Sequence, residues 1–288
     1  MTVERTAIER RFRLRHIELA ARTWGDPGLP PLLALHGWLD NAASFDPIAP
    51  RLATRRHVIA VDLAGHGRSQ HRAPGSWYPY VDYLDELGEL LDRLGDGPID
   101  LLGHSLGATL AAVHASLVPE RVGRLALIEG LGPITLDPRN AHEQLRRALT
   151  ARAGFSERLR VFKDLEQAVD ARARAGELDR VAARLLVERG TRAVEGGFVW
   201  SSDARLTLPG AQRFSEEQLA PMLAAIAAPT LLVLAEPAAP YLPREVIDRR
   251  VAWVRDIEVV RLAGGHHLHM ERADEVAALI GAFLDRAR

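Results

Sequence analysis

A serine set between two glycines, Gly103-His104-Ser105-Leu106-Gly107, is the first group in the chain whose setting suits covalent chemistry. This G-x-S-x-G stretch lies between the apolar run Ile99–Leu102 and a small apolar segment opening near Leu106, so Ser105 is expected on a tight strand-to-helix turn. Glycines on both sides suit a turn where a Cβ would clash, and a helix N-terminus favours developing negative charge. The chain has no cysteine and a single lysine, Lys163, which removes thiolate, disulfide and Schiff-base chemistry and leaves serine as the covalent nucleophile. Three imidazoles, candidates for proton transfer, cluster in Gly264-Gly265-His266-His267-Leu268-His269, shortly before Glu271. Carboxylates follow two further apolar runs: Glu129 after Leu125–Ile128, and Glu236 after Thr230–Leu234.

The 288 residues carry 37 Lys+Arg against 38 Asp+Glu, a formal net charge of -1. That balance supplies no basic stripe for nucleic acid and agrees with an uncharged substrate. At 47% hydrophobic and 26% charged, the composition is that of a folded chain rather than a disordered one. No uninterrupted apolar run approaches the ~18–20 residues of a membrane helix. The segment Met1–Ala20 is charged and lacks a signal-peptide core, so a soluble, cytoplasmic protein is the expectation. Oligomeric state is left open.

Short apolar runs alternate with helical patterns, which predicts a mostly parallel sheet covered by helices on both faces. The strands are expected at Leu32–Leu35, Val58–Val61, Ile99–Leu102, Leu125–Ile128, Thr230–Leu234 and Ile257–Leu262, with antiparallel edge strands formed by Phe12–Arg15 and His16–Trp24. Helices are expected over Val81–Leu94, Leu106–Val118, Arg244–Val254 and Asp274–Leu284. Residues 131–220 break the alternation. Helical segments at His142–Thr150, Leu165–Ala175 and Asp179–Glu188, with no convincing buried strand, predict a helical cap inserted into a core made of 1–130 and 221–288. Its interspersed charges, among them Arg146, Arg158, Arg172 and Arg184 with Glu143, Glu166 and Glu188, read as a solvated helical face.

Several motifs in order carry a resemblance: His36-Gly37-Trp38-Leu39-Asp40-Asn41, then Asp62-Leu63-Ala64-Gly65-His66-Gly67-Arg68-Ser69, then the Ser105 turn, then Gly264-Gly265-His266. The chain resembles the α/β-hydrolase superfamily, and within it is similar to the serine-hydrolase-like proteins, over everything except the insertion. The resemblance implies an eight-stranded α/β-hydrolase sheet and an oxyanion hole formed by the backbone N–H groups of Trp38 and Leu106. It also implies His266 as the base, because the catalytic imidazole follows a glycine pair about five residues before an acidic one. His267 stays open, since some relatives have a shorter loop.

The third member departs from the usual pattern: Ala238 falls where an aspartate is expected. Glu129 and Glu236 are the replacements. Some members of the superfamily, certain haloalkane dehalogenases among them, carry their acid where Glu129 stands. Dehalogenation itself is rejected, because it needs a carboxylate nucleophile and Ser105 occupies that position.

The expected reaction is therefore hydrolysis of a small-to-medium uncharged ester by Ser105, His266 and Glu129, without metal or cofactor. His36, Asp40 and His104 are candidates for shaping the substrate pocket. Trp77, Tyr78, Tyr80 and Tyr83 fit either a substrate wall or helix packing. The 62–69 loop lacks the spacing of a phosphate-binding loop and reads as a structural turn. A non-catalytic ligand-binding relative, or carbon–carbon bond hydrolysis on the same triad, are the rival functions.

Overall fold

A computed structural model describes residues 6–157 and 159–287. Arg158 and the first five residues of Met1–Ala20, which the charge reading used, lie outside the described residues. In chain order the elements are β1 (Ile8–Arg13), β2 (Glu18–Trp24), β3 (Pro31–Leu35), α1 (Ala49–Leu52), β4 (His57–Val61), α2 (Tyr80–Leu94), β5 (Ile99–His104), α3 (Leu106–Leu117) and β6 (Val122–Ile128). The insertion follows with α4 (Ala141–Ala153), α5 (Leu165–Gly176), α6 (Arg180–Gly190), β7 (Thr191–Val194) and β8 (Gly197–Trp200). The chain then returns through α7 (Glu216–Ala224), β9 (Thr230–Glu236), α8 (Arg244–Val251), β10 (Ile257–Ala263), α9 (Leu268–Glu271) and α10 (Ala273–Leu284).

Eight strands form one sheet in the order β1-β2-β4-β3-β5-β6-β9-β10. Only β2 runs antiparallel to its neighbours, and the strands from β4 to β10 pair in parallel. The apolar runs supply both faces by alternation. Leu33, Leu35, Ile59, Leu101 and Leu127 join one buried cluster with α2 and α3, while Leu32, Ala34, Val58, Leu102 and Ile128 join another with α1 and α10.

The structure differs from expectation at places with weak apolar patterning. β1 starts at Ile8 rather than Phe12, and its residues are almost all exposed, so no periodic signal marks this edge strand. The insertion holds a hairpin, β7–β8, extended by a bridge from Phe162 to Phe198. It has its own apolar cluster, in which Phe162, Val169, Leu186 and Val187 pack with Met270 of the core. The expected junction at 220/221 falls inside α7, whose Leu219 and Leu223 are buried with the sheet's own side chains. No helix among the described residues is long and apolar enough to cross a membrane.

Candidate active site

Parallel strands end together, so the loops after β5, β6 and β10 meet at one edge of the sheet. Ser105 sits between β5 and α3 with φ 50 and ψ -114, a region that non-glycine residues rarely occupy. The turn is pinned by Ser105 N–H donating to Ile128 O at 2.9 Å and Gly107 N–H donating to His36 O at 3.0 Å. A Cβ at Gly107 would lie 2.0 Å from Leu35 O, and one at Gly103 would lie 2.5 Å from the Ala108 backbone. Both glycines of the motif are therefore demanded by close packing.

Glu129, the first residue beyond β6, also has positive φ, 55. Its carboxylate is buried: Oε1 accepts from Ala235 N–H at 2.5 Å, and Oε2 accepts from His266 Nδ1 at 3.1 Å. That bond leaves the Nε2 lone pair of the neutral imidazole available. Burial pushes the His266 pKa below its ordinary value, against the opposing pull of Glu129, so the ring is neutral at pH 7. The Tyr241 ring stands edge-on to it at 5.3 Å. Glu236, the alternative acid, points to the surface and pairs with Arg244 at 3.3 Å. Ala238 and Glu129 border one small cavity of about 20 Å³, so the carboxylate from β6 reaches beside the position where the aspartate was expected.

The other two histidines of the loop face inward. His267 Nε2 donates to Asp40 Oδ2 at 3.2 Å, and His104 Nδ1 lies 3.5 Å from the same oxygen. The remaining carboxylate oxygen, Oδ1, accepts from Arg172 of α5. Burial would raise the Asp40 carboxyl, but the two imidazoles and the Arg172 guanidinium outweigh it and hold the group well below the usual carboxylate range. His269 is fully buried and shares a 2.5 Å hydrogen bond with the equally buried Ser44. Among the described residues, Asp40, His104 and His267 are the one group whose atoms could surround a metal ion. Arg172 already supplies a positive charge to that carboxylate.

Three expected pocket residues are moved to other roles. His36 is buried with both ring nitrogens engaged: Nδ1–H donates to Gly37 O at 2.7 Å, and Nε2 accepts from Leu63 N–H at 2.9 Å. Burial lowers its pKa to about 4. Asp40 and His104 are likewise buried, and their polar atoms face protein groups rather than an open wall. Trp38 remains 52% exposed, with Nε1 donating to Leu206 O at 3.1 Å. Among the described residues, no hydrogen bond uses the backbone N–H of Trp38 or Leu106. Of the aromatic group, Tyr83 is buried, Tyr78 donates to Asp203 at 2.7 Å and Trp77 lies under Arg152, which is packing.

Sequence reasoning missed Arg172, which it placed on a solvated face, together with Ser44 and Tyr241. No local signal marks them, because each acquires its neighbours from a distant part of the chain. The structural reading of the 62–69 loop agrees with the geometry. Buried Asp62 accepts from Ala42 N–H, Arg68 N–H and the Arg189 guanidinium, and a Cβ at Gly67 would strike its carboxyl group.

The α/β hydrolase fold family model matches residues 30–273, and the chain belongs to that family. Within it, the chain is similar to a serine hydrolase-like protein from Danio rerio, 28% identical over 98% of this chain and 90% of the relative. Among solved structures, a hypothetical protein from Pseudomonas aeruginosa PAO1 superimposes with a TM-score of 0.91 at 42% identity, covering 96% of this chain and 99% of that one. A thioesterase domain from the curacin biosynthetic pathway gives a TM-score of 0.86 at 29% identity, covering 96% and 99%.

Proposed function

We propose that this α/β-hydrolase cleaves a small-to-medium uncharged carboxylic ester through an acyl-enzyme formed on Ser105. The observation that carries the reading is the buried Glu129 carboxylate 3.1 Å from His266 Nδ1, with the strained Ser105 turn at the same sheet edge. His266 Nε2 takes the proton from Ser105 Oγ as the oxygen attacks the carbonyl. The tetrahedral oxyanion is met by the N–H groups of Trp38 and Leu106, each worth about 3–4 kcal/mol in the transition state. His266 then protonates the departing alcohol, activates water for deacylation and returns the proton to Ser105. Glu129 holds the tautomer and stabilises the imidazolium, and the cap sets which acyl groups enter.

A thioester is the second substrate class, favoured by the likeness to a thioesterase domain, and the same steps release a thiol instead. The test is a panel of p-nitrophenyl esters and acyl thioesters of graded acyl length with wild type and Ser105→Ala. Burst kinetics on at least one substrate and loss of turnover in the variant are expected. Full turnover by Ser105→Ala would end the mechanism, and an inert wild type would favour a ligand-binding protein.

A further inference from the structure

We propose that Arg172 is a positioning residue for hydrolysis, which through Asp40 fixes both the loop carrying Trp38 and the loop carrying His266 to the insertion. The inference rests on the hydrolytic reading above and adds to it how the two halves of the site are held together.

The segment 38–41 meets the insertion at three separate points. Trp38 Nε1 donates to Leu206 O at 3.1 Å, Asn41 Nδ2 donates to Leu186 O at 2.9 Å, and Arg172 donates to Asp40. Only the last of these continues inward. Asp40 receives His267 on its other oxygen, and His104, beside that oxygen, donates from Nε2 to the His266 carbonyl at 2.9 Å. The His104 and His266 rings lie 4.7 Å apart. One guanidinium from α5 thus borders a cluster of buried polar groups, hydrogen-bonded to His267 and close to His104, that reaches the backbone of the proposed base.

The path of the arginine is itself built. Its side chain is only 15% exposed, and a Cβ at Gly176, one turn further along α5, would lie 2.4 Å from Arg172 Nη1. Gly176 keeps that space open. The other charged groups of the helix behave differently: Glu166 pairs with Arg180 and Arg184, which lie across the exposed face of the insertion. Arg172 alone among these leaves the surface.

Without the guanidinium, a buried carboxylate beside two imidazoles loses its permanent counter-charge. Such a group regains balance by drawing a proton or by turning toward water, and either change loosens the loops on both sides of the cluster. Misplacement by a fraction of an ångström suffices to slow a reaction whose donors and base must be set beforehand.

The test compares wild type, Arg172→Met, Arg172→Lys and Arg184→Met on a p-nitrophenyl ester, with fluorophosphonate labelling rates in parallel and circular dichroism for folding. Arg172→Met is expected to lower kcat roughly 10–100-fold while KM changes less than about threefold, with labelling slowed alike. Arg172→Lys restores part of kcat, and Arg184→Met matches wild type. Should Arg172→Met not fold, Arg172→Gln, a neutral donor to Asp40, takes its place with the same expectation. Wild-type kcat in the variant overturns the inference, as does an effect confined to KM, which would make Arg172 a substrate contact. A wild type that neither turns over nor labels overturns the hydrolytic reading itself, and the inference with it.

Discussion

Two serines lie around the histidine-rich loop 264–271, and they differ in almost everything except residue type. Ser44 shares a short hydrogen bond with His269, but both are fully buried and His269 Nδ1 has no partner. Ser105 occupies a strained turn at the sheet edge, and His266 of the same loop is backed by a buried carboxylate. A hydrogen bond between serine and histidine is therefore the least diagnostic part of a hydrolytic site. An acid on the far nitrogen, a partly open imidazole and a backbone that presents the serine separate a reactive pair from a structural one. Burial adds to the contrast: it holds His269 well below the ordinary histidine range, so that ring stays neutral as a fixed packing group.

The contrast breaks most easily at its reactive end. Ser105→Ala should remove roughly 10⁴–10⁶-fold from kcat in an ester assay, whereas Ser44→Ala should keep turnover within about threefold of wild type. Glu129→Gln comes next, with a loss of roughly 10²–10⁴-fold, while Glu236→Gln, on the surface pair with Arg244, should be silent. Equal losses at Glu129 and Glu236 would contradict the geometry of the acid.

Acidity sharpens the comparison by acting on the two regions separately. In the proposed mechanism protonation of His266 stops catalysis, so the acid limb of kcat/KM should fall below the ordinary histidine pKa of about 6.5. In Glu129→Gln the limb should move lower still, because the carboxylate that favours the imidazolium is gone. Stability follows the buried rings instead. His36, lowered to about 4, and His66, lowered to about 3, stay neutral in the fold while the unfolded chain takes up protons below about 6.5. Each therefore withdraws about 1.4 kcal/mol per pH unit from about pH 6.5 down to its folded pKa, which thermal melts between pH 7 and pH 5 should register as a falling Tm.

The smallest effect is structural. Ser44→Ala leaves the His269 imidazole without its partner and should cost about 1–3 kcal/mol of stability in urea denaturation, with activity retained.

Much of this was legible in the sequence. The central strands and flanking helices were readable because burial on both faces leaves unbroken apolar runs, as in Leu32–Leu35 and Leu125–Ile128. Gly103, Ser105 and Gly107 were readable because the turn itself demands those residue types. The start of the edge strand β1 escaped, since its exposed residues carry charge with no period, and the hairpin β7–β8 escaped because each of its strands is only 4 residues long. Arg172 escaped for a different reason. Glu166 and Arg174 of the same helix are solvated, and only the approach of Asp40, far away in the chain, distinguishes Arg172 from them.

The central claim is that reactivity resides in Ser105 and not in Ser44. Labelling with a fluorophosphonate, followed by peptide mapping, tests it most directly. The account predicts one adduct, on Ser105, formed in wild type and Ser44→Ala, slowed in Glu129→Gln and absent in Ser105→Ala. An adduct on Ser44, or undiminished labelling of Ser105→Ala, would contradict it.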